Sequence, residues 1–149
     1  MNHSFYYLLA FCAGGALSVQ LGVNSQLKAV LGHPVMAALV SFLVGTVALI
    51  MYFLLFQRES LSTVANLSGM AWYKWSGGLI GAMFISGVII IAPRIGAANT
   101  AALVVAGQVL LALLLDHYGL LGFIQHPFNM MRFIGAALLI GGVFLILKN

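Results

Sequence analysis

Long apolar runs, separated by single charged residues, dominate the chain. Residues 1–27, 29–57, 75–93 and 95–115 contain no Asp, Glu, Lys or Arg, and a shorter uncharged run covers 133–147. A helix needs about 20 mostly apolar residues to cross a bilayer core of about 30 Å, because it rises about 1.5 Å per residue. Each run is long enough or nearly so, which predicts membrane-spanning helices.

The runs predict five spans, so the expected fold is an all-α integral membrane protein with one domain over 1–149. The predicted helices cover 4–24, 34–56, 73–92, 96–115 and 130–147. Pro93 falls in "IAPRIG", for which we predict a tight hairpin between the third and fourth helices. The connection over 116–129 is apolar enough to lie along the membrane surface. The pattern argues against a β-barrel, whose strands alternate apolar and polar residues over about 10 positions.

Composition agrees with this class and narrows the function. Of the 149 residues, 63% are hydrophobic and only 5% are charged, whereas about 25% of an average soluble domain is charged. The sequence shows no phosphate-binding loop and no nucleophile motif, so we expect neither an enzyme nor a bound cofactor. The four histidines lack the spacing of metal ligands, so no metal is expected. The expected partners are the lipid bilayer and a small-molecule substrate, with no nucleic acid.

The basic residues indicate no preferred orientation in the membrane. With five spans, three fall on each side: Arg58, Lys74 and Arg132 on one, and Lys28, Arg94 and Lys148 on the other. Cytoplasmic loops normally carry an excess of Lys and Arg, and that excess fixes the orientation. Either one charge dominates here, or a helix end is misplaced, or the protein inserts both ways and pairs as an antiparallel homodimer. Stripes of small residues on the first and third helices are compatible with such an assembly.

Polar side chains inside the spans are the candidates for a site. In "SVQLGVNSQLK", Gln20, Asn24 and Lys28 are four residues apart, so they share one face of a helix. An amide left without hydrogen bonds in lipid costs several kcal/mol. It must therefore bond to another helix, at about 0.6–2 kcal/mol per contact, or bind a substrate. Small hydroxyls such as that of Thr100 are expected to bond to their own helix.

Depth within the predicted spans selects among these residues. The candidate substrate-binding residues are Gln20, Asn24, Gln108, Ser41 and Asn99. Most of them are expected at a similar depth in the membrane, near the end of the first helix. The candidates for the cavity mouth or for coupling are Lys28, Arg94 and Asp116. For Asp116, which closes the fourth helix, we expect pairing with His117 or a basic loop residue. The middle of each span lacks an acidic residue, which disfavours proton-driven cation export and favours a neutral or anionic solute.

Five segments carry a resemblance to a known family. They are "QLGVNSQL", "HPVMAALVSFLVGT", "GGLIGAMFI", "APRIGAANTAALVVAGQVLLALLLDHYGLLG" and "RFIGAALLIGGVFLI". In this order they resemble the YdcZ-like family, five-helix half-size members of the drug/metabolite transporter superfamily. The resemblance implies a multi-pass protein of the bacterial inner membrane that works as an antiparallel dimer. The polar positions that match the family pattern are Gln20, Asn24, Ser41, Gln108 and Asp116.

Two functions follow from this sequence. In the first, the chain is a secondary transporter of a small solute, with a central site at the interface of two inverted subunits that alternate in access. In the second, it is a structural or accessory membrane protein, or one half of a heterodimeric transporter, without a site of its own. The balanced charges favour the first, since a homodimer that contains both orientations needs no bias.

Overall fold

The computed structural model describes residues 3–57 and 70–148, and this part of the chain is helical without any strand. Arg58, which enters the charge count above, lies outside the described residues. The helices are α1 (His3–Leu31), α2 (Pro34–Phe56), α3 (Ser76–Ile95), α4 (Ala97–Tyr118) and α5 (Met130–Lys148). A 3₁₀ turn over Trp72–Trp75 leads directly into α3, so that Trp72–Ile95 forms one span. The five helices are long and apolar enough to cross a membrane, which confirms the predicted number of spans.

Helix α1 is longer than the apolar pattern predicts. The prediction that it ends at Asn24 is wrong, because the helix continues to Leu31. The polar residues after Asn24 end the apolar run but are compatible with a helix, and the Ser25 hydroxyl donates to the carbonyl of Leu21 at 2.9 Å. Gly32 ends the helix with a φ of +72°, a left-handed conformation that glycine adopts without strain.

The connection between the third and fourth helices is tight, as predicted, but the placement of Pro93 in it is wrong. Pro93 lies inside α3, which continues to Ile95, and Gly96 with a φ of +89° is the single residue between α3 and α4. A proline in a helix removes the hydrogen bond to the carbonyl four residues earlier. The structure supplies another donor for that carbonyl, as described below. The remaining predicted bounds differ from the observed ones by three residues or fewer.

The chain divides into two compact units, Met1–Pro93 and Arg94–Asn149. In the first unit, the core consists of Ala37 and Ala38 from α2 and Ile85 and Ile89 from α3, with Leu27 of α1 packed against it. The alanines allow close approach of helix backbones, which is how helices associate in lipid. The end of α1 therefore meets α2 and α3 at this core. That the whole chain acts as one domain stays a prediction.

The second unit contains α4 and α5, which pack against each other. Ala106 of α4 and Ala136 and Val143 of α5 are buried. Beside the contact between the two helices runs an open apolar groove of about 510 Å³. Its lining includes Ala98, Ala101 and Ala102 of α4 and Leu139, Gly142 and Val143 of α5.

Candidate functional site

Asn24 is almost completely buried in the first unit, with 2% of its surface exposed. It lies in α1 three residues after Leu21, which is buried as well. Its side-chain Nδ2 has no hydrogen-bond partner, and it is the one buried side-chain polar atom in this condition among residues 3–57 and 70–148. Leaving such a donor unpaired costs about 1–3 kcal/mol. Asn24 therefore does not act as hydrogen-bonding glue through Nδ2 in this conformation.

Lys28 follows Asn24 by one helical turn on the same face of α1 and is half-buried. Its Nζ donates to the backbone carbonyl of Ile89 in α3, over an N–O distance of 3.5 Å. That carbonyl is available because Pro93, four residues later in the same helix, has no N–H to donate. Lys28 thus replaces, from another helix, the hydrogen bond that Pro93 removes.

The other predicted site residues of the first unit are more exposed. Gln20 lies on an exposed part of α1, and Ser41 is half-buried on α2. The predicted polar line along α1 therefore runs from exposed Gln20 through buried Asn24 to half-buried Lys28. Because lipid tails offer no hydrogen bonds, an exposed amide within a span requires a polar partner.

In the second unit, α4 carries two of the predicted amides. Asn99 is half-buried near its beginning, and Gln108 is exposed near its middle. The buried Thr100 between them donates its hydroxyl to the carbonyl of Gly96 at 2.7 Å, which confirms the expected bond to its own helix. Arg94, at the end of α3, is exposed. That Gln108 faces the amides of α1 across a cavity stays a prediction.

Asp116 is held at the end of α4 by Arg132. The distance between Asp116 Oδ2 and Arg132 Nη1 is 3.3 Å, and both side chains are about 30% exposed. Arg132 Nη1 also donates to the carbonyl of His126. The expectation named His117 or a basic loop residue as the partner, whereas the observed partner lies in the first turn of α5. His117 instead accepts a hydrogen bond at Nδ1 from the backbone N–H of Phe128.

The connection after α4 folds back on the helix end. Gly119 ends α4 with a φ of +62°, and the N–H of His126 then donates to the carbonyl of Asp116 at 2.8 Å. Gln125 Nε2 donates to the carbonyl of His117 at 3.0 Å. These bonds leave Leu121 and Ile124 exposed. The apolar surface agrees with a segment that lies along the membrane.

The chain matches a family model over nearly its whole length. A family model with the description "Putative inner membrane exporter, YdcZ" matches residues 5–145, which cover nearly all of α1 through α5. The chain belongs to the YdcZ family. No curated protein and no solved structure matches it. The resemblance derived from the sequence is thereby confirmed.

Membership of the YdcZ family gives the chain a location and a broad class. The family model describes an inner-membrane exporter, and the five spans agree with a multi-pass protein of the inner membrane. The predicted location is therefore confirmed. The family description is that of a membrane transporter, which is not an enzyme class.

One feature of this YdcZ-family chain was not predicted from its sequence, the contact between Lys28 and the Ile89 carbonyl. The unpaired carbonyl could have been predicted, because any proline inside a helix leaves a carbonyl without its donor four residues earlier. It was not predicted, because Pro93 was wrongly placed between two helices. The identity of the donor could not be predicted, because it depends on how α1 packs against α3 and not on the sequence near Pro93.

Proposed function

We propose that the chain is a secondary transporter that exports a small solute by alternating access as an antiparallel homodimer. The substrate site lies at the subunit interface. The observation that carries this proposal is the buried, unpaired amide of Asn24 within a span of a YdcZ-family chain. A donor that stays unmet in one conformation and binds solute in another suits a protein that alternates between two states.

Dimerisation is supported by the amides that one chain leaves exposed. Gln20 and Gln108 lie on exposed helix surfaces inside spans, where lipid cannot satisfy them. A second, inverted copy supplies the missing hydrogen-bonding groups. The odd number of spans and the equal numbers of basic residues on the two sides agree with a chain that inserts in both orientations.

The groove beside α4 and α5 suits a contact with the second copy. The groove lining includes the small residues Ala101, Ala102 and Gly142, which allow a further helix to approach closely. Filling the groove with Gly142→Leu is expected to weaken the dimer. Cross-linking in native membranes measures this, and the matched variant Gly107→Leu, on α4 but outside the groove lining, is the control.

The proposed substrate site is formed by polar side chains of the spans. In this proposal Gln20 and Asn24 of α1 and Gln108 of α4 hydrogen-bond the solute. Ser41 and Asn99 lie in the same layer as Gln20 and Asn24, and Gln108 lies nearer the middle of the membrane. Lys28 and Arg94 lie at the mouth of the cavity. Asp116 takes part in coupling or, through its bond to Arg132, fixes the end of α4.

The test compares two amides of the same helix. A thermal-shift screen of small solutes on the purified dimer identifies a ligand, and flux of that ligand into proteoliposomes measures transport. Asn24→Leu is expected to leave a folded dimer without binding or flux. The matched control is Gln26→Leu, which removes an exposed amide from the opposite face of α1 and is expected to transport normally. A folded Asn24→Leu dimer with unchanged flux would remove Asn24 from the site.

The second candidate is one half of a heterodimeric transporter. The exposed Gln20 and Gln108 favour it as much as a homodimer, since a paralogue can satisfy them equally well. This candidate predicts that the purified chain binds solutes only after it is mixed with a paralogue. Binding by the chain alone decides for the homodimer.

A further inference from the structure

Lys28 has no negatively charged partner in the described part of its unit. Residues 3–57 and 70–93 contain Lys28 and Lys74 as their charged side chains, and both are cations. The ion pair between Arg132 and Asp116 occupies the carboxylate of the other unit. Charged groups within membrane proteins are normally paired. The Lys28 ammonium is instead held by a neutral backbone carbonyl.

That hold is weak. The distance from Lys28 Nζ to the Ile89 carbonyl is 3.5 Å, whereas a charge-assisted hydrogen bond to an anion is about 2.7–2.9 Å long. Ile89 itself is completely buried, so the ammonium reaches into the protein interior to make the contact. An anion that enters there offers Lys28 a better acceptor than the carbonyl does.

Asn24 adds a second donor beside the first. Its Nδ2 is buried and unpaired, and its Cβ lies about 5–6 Å from that of Lys28, as for any pair four residues apart on a helix. The two side chains thus place two hydrogen-bond donors on one face of α1. Lys28 donates to the Ile89 carbonyl, and Asn24 Nδ2 has no acceptor. A ligand that complements them must carry acceptor atoms and a negative charge.

We propose that Asn24 and Lys28 form a binding site for an oxyanion, the carboxylate or phosphate group of the exported solute. This deepens the function proposed above and rests on it. In the described conformation the site is closed, and Lys28 is bound to the Ile89 carbonyl. On binding, Lys28 exchanges that carbonyl for the anion and Asn24 Nδ2 gains its missing acceptor. The exchange also breaks the hydrogen bond that joins α1 to α3.

The experiment uses the full-length protein in nanodiscs of phosphatidylcholine, which carries no net charge. Sodium acetate and sodium phosphate are the probes, with sodium chloride at equal ionic strength and tetraethylammonium chloride as the comparison salts. The melting temperature is expected to rise with saturation for the oxyanions and not for the cation. Because phosphate also stabilises proteins non-specifically, the difference between wild type and variants is the measured quantity.

Three variants locate the response. Lys28→Gln is expected to weaken oxyanion binding at least tenfold, and Asn24→Asp is expected to do the same by placing a second negative charge beside the ligand. Lys28→Arg is expected to retain binding. The matched control, Lys148→Gln, removes one exposed cation from the side of the membrane assigned to Lys28 and is expected to bind like wild type. Equal stabilisation of Lys28→Gln and wild type, or none of wild type, overturns the proposal.

A lipid headgroup carries the same chemistry, so a second arm adds phosphatidylglycerol to the nanodiscs. Stabilisation by phosphatidylglycerol without any response to acetate or phosphate overturns the assignment to a solute. The outcomes also separate the site from the transporter. Flux of a cationic or neutral solute without oxyanion binding overturns the site alone. Saturable oxyanion binding that depends on Lys28, without flux of any bound anion, supports the site and contradicts the transporter.

Discussion

At the scale of single residues, Asn24 combines burial with an unmet donor. Because its amide lies within an apolar run, Asn24 could be predicted from the sequence as a candidate binding residue. Its burial could not be predicted, because the prediction ended α1 at Asn24, whereas the helix continues and its face meets the α2 and α3 core. Gln20, only about 40° away around the same helix, is exposed. The amides that look equivalent in sequence therefore differ in surroundings.

Replacing Asn24 separates stability from binding. Asn24→Leu removes the buried donor that lacks a partner, so we expect the free energy of unfolding to rise by about 1–3 kcal/mol. Reversible unfolding in mixed micelles measures this change. Gln26→Leu, at an exposed position of the same helix, is the control and is expected to change the stability little. A clearly less stable Asn24→Leu protein would mean that the amide is structural glue.

The pair of Asp116 and Arg132 belongs to the same scale. Both side chains are partly exposed, and such pairs contribute about 0–1 kcal/mol. Asp116→Asn keeps an acceptor for Arg132, so we expect a small loss of stability, below about 1 kcal/mol, and normal flux. Flux in proteoliposomes with and without a proton gradient checks this. Loss of gradient-driven flux in a stable Asp116→Asn protein would assign Asp116 to coupling.

At the scale of elements, α1 and α3 are joined by a hydrogen bond that neither helix can form alone. Pro93 removes the donor within α3, and Lys28 supplies one from α1. If Lys28 is lost, the buried Ile89 carbonyl is left unpaired.

Pro93→Ala restores an N–H at position 93 and so gives the Ile89 carbonyl its usual partner. We expect Lys28→Met to destabilise the wild-type protein by more than it destabilises the Pro93→Ala protein. The expected difference is about 1 kcal/mol in a double-mutant cycle of unfolding free energies. Equal losses in the two backgrounds would show that the contact contributes nothing to stability.

The connection between α4 and α5 begins with a glycine in the left-handed conformation. Gly119 has a φ of +62°, and a Cβ at this position would lie 3.4 Å from the Cβ of Gln125. Gly119→Ala is therefore expected to lower the free energy of unfolding by about 1–2 kcal/mol, as measured by chemical unfolding. The control is Gly107→Ala in α4, where no atom lies within 4 Å of the added Cβ and φ is ordinary.

At the scale of the whole molecule, five spans could be predicted because lipid excludes charge so strongly that uncharged runs mark them. Hydropathy marks the end of the apolar run, whereas α1 continues past that point to Leu31. The predicted end of α1 was wrong for this reason. The 34–56 span was predicted correctly, because His33 and Pro34 mark its beginning. The candidate site was predicted only as a set of residues, since long-range contacts decide which of them are buried.

Equal basic charge on the two sides predicts insertion in both orientations. Reporters fused after Lys148 are expected to give signal on both sides of the membrane, because neither side attracts the chain more strongly. Two added lysines at one end should drive the chain to one orientation and, without a complementary partner, abolish transport. Signal from one side only in the wild-type fusion would contradict the antiparallel homodimer.

The carbonyl freed by Pro93 also constrains how the sequence evolves. A mutation at position 28 that removes the donor is expected to be harmful while proline stands at 93, and a chain without that proline is expected to tolerate it. The two positions, 65 residues apart in numbering, should therefore change together among homologues. Lineages that have lost the proline should show relaxed selection at position 28, unless the lysine is retained there for its ligand.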